Sequence, residues 1–177
     1  IAQDIKDASY KSAFFALIAI FLYIIIRFRK WQFGLGAIVA LAHDTMFVIA
    51  AFAIANLLGL SLEVDQVFVA AILTIIGYSI NDTVVVFDRI RENLGVKKGK
   101  ELVSVFNESL NNTISRTLIT SVTTLIVILI LLIFGGTALR SFSFALLVGV
   151  MIGTYSSVFI ATPVAIDFSD KKEPSAS

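Results

Sequence analysis

The chain has 177 residues, of which 58% are hydrophobic and only 15% are charged, and its mean hydropathy is +0.93. A soluble domain is about half apolar and about a quarter charged, so this composition excludes an ordinary soluble protein and indicates a polytopic membrane protein. The sequence has no cysteine, one histidine and a net charge of +1, which excludes disulfides, thiol chemistry and a multi-histidine metal site. Nothing in this charge balance indicates nucleic-acid binding, and no cofactor is predicted.

Five segments are long and apolar enough to cross a membrane, which takes about 20 residues. We expect these transmembrane helices at residues 9–26, 33–58, 67–87, 114–134 and 142–166. Residues 1–8 are then a lead-in on the outer side, 88–113 a cytoplasmic loop and 167–177 a disordered cytoplasmic tail. The predicted fold class is all-α, a polytopic membrane helix bundle of five transmembrane helices plus a cytoplasmic amphipathic helix.

The basic residues support an odd number of spans. If the segments alternate in direction, eleven of the fourteen Lys and Arg residues share one side of the membrane. These are Arg27, Arg29, Lys30, Arg89, Arg91, Lys97, Lys98, Lys100, Arg116, Lys171 and Lys172. The positive-inside rule makes that side cytoplasmic, which places the N-terminus of this chain outside and the C-terminus inside.

Two further patterns concern packing. Apolar residues recur at helical spacing between Gly95 and Asn112, which fits either an amphipathic helix on the cytoplasmic surface or a helix packed on the bundle. In the fifth span small residues recur every four positions, which favours close helix packing within the chain, although docking of a partner is the alternative. These are Ala145, Gly149, Gly153, Ser157 and Ala161. Pro163 is expected to kink the end of this helix.

Three charged residues within the predicted spans are candidates for a function, because a charge there costs a few kcal/mol at least and is seldom present without a use. At 1.5 Å per residue, Asp82 lies roughly 8 Å and Arg116 roughly 3 to 5 Å from the cytoplasmic face. These compatible depths on consecutive antiparallel helices predict an ion pair. Asp44 lies roughly 17 Å deep, near the midplane.

Polar residues extend these charges along the helices. Thr74 and Tyr78 precede Asp82 at four-residue steps, with Asn81 and Thr83 beside it. On the next helix Thr120 and Thr124 follow Arg116 at the same spacing. Either the two faces form a polar seam, or the hydroxyls only bond to carbonyls of their own helices.

Proton transfer is the chemistry that suits an acid beside an arginine. Burial favours the neutral form of a carboxyl group and a neighbouring guanidinium favours the charged form, so a small movement could switch its protonation. We therefore predict a proton relay at Asp82 and Arg116. His43 and Asp44 are further candidates for the proton pathway, together with Tyr78, Asn81, Thr83 and Thr120, although a lone histidine is as often a packing residue.

Four segments resemble the protein-export membrane protein family SecF, of the resistance-nodulation-division superfamily. They are ALAHD at 40–44, GYSINDTVVVFDRIREN at 77–93, ISRTLITS at 114–121 and SFALLVGVMIGTYSSVFIATPV at 143–164. The resemblance covers almost the whole chain, these segments fall in the expected order, and the second is long and specific.

The resemblance implies a multi-pass protein of the bacterial inner membrane that uses the proton motive force to help move exported polypeptide. The implied partners are SecD or the SecD half of a fused chain, the SecYEG translocon, the translocating preprotein, membrane lipid and protons, with no nucleic acid and no enzymatic reaction. Asp82 and Arg116 match the family's relay residues, while His43 and Asp44 match a second family motif. The family's first span and periplasmic domain have no counterpart in this sequence.

Other interpretations stay open. A proton-coupled exporter of small molecules or lipids in the same superfamily would share the buried charges. An intramembrane aspartyl protease would need Asp44 and Asp82 at one depth, whereas the predicted depths differ by roughly 9 Å. A purely structural subunit would use the charges to fix helix register.

Overall fold

The computed structural model describes residues 2–97 and 99–169, and this part of the chain contains helices and no strand. Five long helices follow one another: α1 (Ala2–Phe28), α2 (Trp31–Leu57), α3 (Gln66–Val96), α4 (Leu102–Phe134) and α5 (Gly136–Ser156). A π-helical turn, Ser157–Ala161, then leads into the short helix α6, Thr162–Asp167. Lys98 and residues 170–177 of the predicted tail lie outside the described residues.

The predicted all-α membrane bundle is confirmed, with a small difference in the number of spans. Within the described residues, four helical units are long and apolar enough to cross a membrane: α2, α3, α4 and the run Gly136–Asp167. The first predicted span falls in α1, which begins at Ala2 and so includes most of the predicted lead-in. Among the described side chains of α1, the continuous apolar stretch is Ile18–Phe28.

The predicted amphipathic helix is not a separate element. It is the beginning of α4, which runs without a break from Leu102 to Phe134. Phe106 is buried and its ring lies parallel to that of Phe33 on α2, with 6.5 Å between the centroids. The Asn93 side chain on α3 also donates a hydrogen bond to Ser109 Oγ at 2.7 Å. The apolar stripe therefore packs on the bundle, because it has a protein surface beside it to cover.

Helix α5 occupies the centre of the bundle and packs against α2, α3 and α4, while α1 packs on α2 and α3. The small-residue face of α5 makes this arrangement possible. A Cβ added at Gly149 would overlap the side chain of Ile75, and one added at Gly153 would come within 3.1 Å of Ser79 Cβ. The small residues therefore let α3 and α5 approach closely within the chain.

The helix after α5 changes its winding just before Pro163. The π-helical turn ends at Ala161, and Thr162 Oγ1 donates a hydrogen bond to the carbonyl of Ser157, five residues back, at 2.9 Å. Proline lacks an N–H and clashes with a carbonyl of the preceding turn, so a change of winding at this point is expected. The turn also packs against α2, where a Cβ at Gly36 would overlap the Ala161 carbonyl.

The core consists of two apolar clusters with a polar layer between them. One cluster is built around the aromatic side chains Phe28, Phe33, Phe87 and Phe106, where α1 ends and α2 begins. The other contains Val48, Phe52, Phe68, Ile75 and Ala145, towards the opposite end of the bundle. Between them lie the buried side chains of Asp44, Ser79 and Ser156. This layer brings together α2, α3 and α5.

Candidate functional site

Asp44 is the most deeply buried charged residue in the described part of the chain, with 1% of its surface exposed. Its Oδ2 atom accepts hydrogen bonds from Ser79 Oγ at 2.6 Å and from Ser156 Oγ at 2.8 Å. Its Oδ1 atom lies 3.2 Å from His43 Nδ1. Both carboxylate oxygens are thus engaged, and the two serines tie α3 and α5 to α2.

His43 extends this cluster towards the bundle surface. Its side chain is 31% exposed, and its ring lies near the rings of Phe47 and Tyr155, with centroids 5.8 and 6.4 Å away. Adjacent residues on a helix point about 100° apart, yet the imidazole turns back to reach Asp44. It is the one titratable group joined to the buried carboxylate in the described residues.

Asp82 is also buried, with 5% of its surface exposed, but its surroundings are different. Its Oδ2 atom is buried and has no hydrogen-bond partner among the described residues. On α4, the buried hydroxyl of Thr117 is likewise without a partner in this part of the chain. Buried polar groups are nearly always hydrogen-bonded, so an unpartnered carboxylate oxygen requires an explanation.

Arg116 lies beside this acid without binding it. The guanidinium is close enough for its charge to act on Asp82, yet the two side chains form no salt bridge in the described part of the molecule. The Arg116 side chain is exposed, whereas the next residue, Thr117, faces inwards. The expected ion pair is therefore not formed among the described residues, because Asp82 lies inside the bundle and the Arg116 side chain lies on its surface.

The polar stripes meet at one point. Tyr78 donates a hydrogen bond to Thr124 Oγ1 across α3 and α4, at 3.4 Å. Most of the other hydroxyls bond within their own helices: Thr120 to the carbonyls of Arg116 and Thr117, and Thr83 to that of Ser79. Within the described residues, this tyrosine contact is thus the one hydrogen bond between the two predicted stripes, while the bond from Asn93 to Ser109 joins α3 and α4 farther along.

Asn81 lies elsewhere. Its exposed side chain borders a groove of about 440 Å³ between α1 and α3, which also includes Tyr23 and Gly77. Asn81 and Asp82 therefore belong to different surroundings, although they are neighbours in sequence. The described residues contain no group of three His, Cys, Asp or Glu side chains that could hold a metal ion.

Sequence reasoning did not identify the partners of three serines that matter to this geometry. Ser79 and Ser156 bind Asp44, and Ser121 shares a hydrogen bond of 2.6 Å with Thr154 between α4 and α5. The four-residue spacing of small residues in α5 was the available signal, because it predicts a close approach to another helix. It does not say which helix, so the partners of these hydroxyls could not be assigned.

The two buried acids suit different tasks. Asp44 has its oxygens occupied and links three helices, which is typical of a structural acceptor. Asp82 combines burial with a carboxylate oxygen that has no partner among the described residues, and the arginine near it is unbound.

The comparisons with known proteins agree on one family. The family sequence model described as "Protein export membrane protein SecD/SecF, C-terminal" matches residues 1–171 of this chain. The protein translocase subunit SecF of Rhodothermus marinus is 56% identical over 167 residues, which are 94% of this chain and 54% of that protein. The SecF subunit of Rickettsia bellii is 43% identical, with 97% of this chain and 55% of that protein covered.

A solved structure gives the same result. The crystal structure of SecDF from Thermus thermophilus superposes with a TM-score of 0.80 at 43% identity and covers 90% of this chain and 21% of that one. The chain spans about half the length of its SecF relatives and about a fifth of the SecDF chain. With the helical bundle and the sequence match in agreement, this chain belongs to the SecD/SecF C-terminal family of protein export membrane proteins.

Proposed function

We propose that this chain is the membrane part of a SecF-type subunit that couples the proton motive force to the translocation of polypeptide across the bacterial inner membrane. Asp82 takes up and releases the proton, and Arg116 alternates between binding Asp82 and leaving it. The chain is a transport component rather than an enzyme. The family membership supports the export role, and the geometry of the buried acids supports the proton-coupled step.

The observation that carries the proposal is the contrast between Asp44 and Asp82. Both are buried, but only Asp82 has a carboxylate oxygen without a partner among the described residues and an arginine near it that is not bound. When an arginine moves towards a buried acid it favours the charged form, and when it moves away the neutral form is favoured. A movement of α4 relative to α3 would therefore be linked to proton uptake or release.

The exposed position of Arg116 indicates where a partner subunit fits. Arg116 and Thr120 lie on a surface of α4 whose other residues are mostly apolar and exposed, including Ile119, Val127 and Ile130. An arginine facing lipid is unfavourable, so we propose that the membrane helices of SecD cover this face and contribute to the same site. SecYEG and the translocating preprotein are the further partners of the assembled complex.

The proposed orientation follows from the basic residues. The end of the bundle where α1 ends and α2 begins carries Arg27, Arg29, Lys30, Arg89 and Arg91. We place this end in the cytoplasm, because positively charged loops are retained there. The opposite end, with the α2–α3 and α4–α5 connections, then faces the periplasm.

Asp82→Asn in the full-length complex tests the proposal. We expect the variant to assemble normally and to lose export that depends on the proton gradient, because an amide keeps the shape but cannot exchange a proton. The measurement is translocation of a preprotein into inner-membrane vesicles with and without a proton gradient. Asp88→Asn on the same helix is the matched control, since Asp88 binds Arg27 at the bundle surface. Gradient-dependent export by a fully assembled Asp82→Asn complex would refute the proton-relay role.

Arg116→Lys tests the role of the arginine. Lysine keeps the charge but loses the planar fork that can bind both oxygens of a carboxylate, so we expect partial loss of gradient-dependent export. Arg116→Gln should lose more, because the charge is removed as well. Equal activity of the wild type and both variants would argue against a specific contact between Arg116 and Asp82.

A further inference from the structure

The basic residues at the end of the bundle where α1 ends differ in whether they have an acidic partner. Arg27 binds Asp88 at 2.7 Å and Arg89 binds Glu92 at 2.7 Å. Two further lysines, at 97 and 100, both bind Glu108. These four basic side chains thus have carboxylate partners, although the two lysines share one carboxylate.

Three basic residues at the same end have no carboxylate partner in the described part of the chain. They are Arg29, Lys30 and Arg91, and all three side chains are exposed. Arg91 uses one guanidinium nitrogen to bind the carbonyl of Arg27 at 2.9 Å, which holds its head group against the end of α1. The unpaired charge at this end is therefore concentrated where α1 joins α2.

A groove of about 620 Å³ brings two of these arginines together. Arg29 and Arg91 line it with Arg27, and the apolar side chains of Ile26 and Phe28 complete its wall. Ile26 is 76% exposed and lies directly beside the arginines. The groove thus offers positive charge and an apolar surface within a few residues of each other, as a molecule with an anionic head and an apolar tail requires.

The backbone at Arg29 supports a role for its side chain. Arg29 has φ +55°, in the left-handed region that glycine adopts without strain and other residues seldom adopt. A glycine would join α1 to α2 at lower conformational cost. An arginine at this position is consistent with a use for its guanidinium group.

The residues beside the groove indicate its depth in the membrane. Trp31 begins α2, is 52% exposed and packs edge-on against Phe168 near the end of α6, with ring centroids 5.8 Å apart. Tryptophan is enriched where membrane proteins cross the headgroup region of the bilayer. Arg29 and Lys30 immediately precede it, so the unpaired charges lie at headgroup depth.

We propose that this groove binds an anionic phospholipid, with the phosphate between Arg29 and Arg91 and an acyl chain along Ile26. Arginine guanidinium groups bind phosphate oxygens through paired hydrogen bonds. The apolar wall and the headgroup depth favour a lipid over a soluble phosphate compound, which would gain nothing from Ile26. The inference rests on the helical membrane bundle and is independent of the proton-coupled export proposed above.

Lipid selectivity in vesicles tests the inference. The full-length complex is reconstituted in phosphatidylcholine vesicles, and spin-labelled phosphatidylglycerol and phosphatidylcholine are compared for the fraction immobilised by the protein. A basic residue near an anionic surface contributes about 1 kcal/mol, or about fivefold in association. We expect Arg29→Gly to lower the preference for phosphatidylglycerol by up to about fivefold. The double variant Arg29→Gly/Arg91→Gln should remove most of the remaining preference.

The controls distinguish a specific lipid-binding site from a nonspecific attraction of anionic lipid to positive charge. Lys97→Gln/Lys100→Gln removes the same number of charges at the same end, from side chains already paired with Glu108, and should keep the preference. Arg29→Gly suits the local backbone, so its loss of preference is not explained by misfolding. Equal loss in both double variants, or no loss in either, would overturn the inference. Release of the immobilised lipid by inorganic phosphate at constant ionic strength would also overturn it, because the groove would then recognise phosphate alone.

Discussion

The hydrogen bonds of Asp44 allow a quantitative test of the polar layer. Ser79 Oγ donates to Asp44 at 2.6 Å and has no other acceptor among the described residues, whereas Ser156 Oγ also reaches the carbonyl of Gly153 at 3.2 Å. Hydrogen bonds between membrane helices contribute about 0.6 kcal/mol on average and up to about 1.7 kcal/mol. We therefore expect Asp44→Ala, which removes both serine contacts, to lower the free energy of unfolding by about 1 to 3 kcal/mol.

A double-mutant cycle isolates the contact between Asp44 and Ser79. The free energy of unfolding is measured by denaturant titration in detergent for the wild type, Asp44→Ala, Ser79→Ala and the double variant. Because the two side chains touch, we expect a coupling energy of about 0.6 to 1.7 kcal/mol. The contact with Ser156 should give a smaller coupling, since Ser156 keeps an acceptor when Asp44 is removed.

Thr74→Ala provides the matched control for this cycle. Thr74 lies on the same helix as Ser79, but its hydroxyl is exposed and bonds to the carbonyl of Ala70 on its own helix. Its effect should add to that of Asp44→Ala, with a coupling below about 0.3 kcal/mol, the scatter expected of independent sites. A coupling that small between Asp44 and Ser79 would show that the polar layer does not hold α2 and α3 together, contrary to our reasoning.

Two glycines give further predictions that the same detergent titration can check. Gly149→Ala should cost about 1 to 3 kcal/mol, because the new methyl group overlaps Ile75, and Ile75→Val should restore part of the loss. Gly77→Ala is the control, since nothing lies within 4 Å of the added Cβ and alanine favours the helix, so equal losses at both sites would contradict the packing of α3 on α5. Gly36→Ala should cost more than Gly149→Ala, because it overlaps the backbone carbonyl of Ala161, which cannot change rotamer. A smaller loss at Gly36 would mean that the π-helical turn is not held against α2.

Hydropathy predicted the membrane bundle, and its main error concerned the connection between α3 and α4. A span ends on a hydropathy profile where the residues become polar, but a helix ends only where its backbone is interrupted. No glycine or proline occurs between Leu102 and Phe134, so α4 continues past the apolar segment and packs Phe106 on the bundle. The sequence therefore contained the evidence for one long helix. That evidence is the absence of a helix-breaking residue, whereas the change in polarity does not mark the end of the helix.

The candidate site was predictable in depth but not in rotation about each helix axis. Charges within apolar segments identified Asp44 and Asp82, because a charge there is costly. The position along α4 likewise placed Arg116 near the depth of Asp82. Rotation depends on which faces meet, and that is decided by residues far apart in sequence. Ser156 binds Asp44 across 112 positions, so no local pattern could have joined them.

The π-helical turn has a consequence for the chain that follows it. A turn with one residue more than an α-helical turn shifts the angular phase of all later residues by about 100°. With that shift in place, Ala161 and Ala165 meet α2 at Gly36. The docking of the last helical segment is thus encoded in the number of residues in the turn as much as in their identity. Deleting one residue between 157 and 161 should rotate α6 away from α2, even though every side chain of α6 is retained.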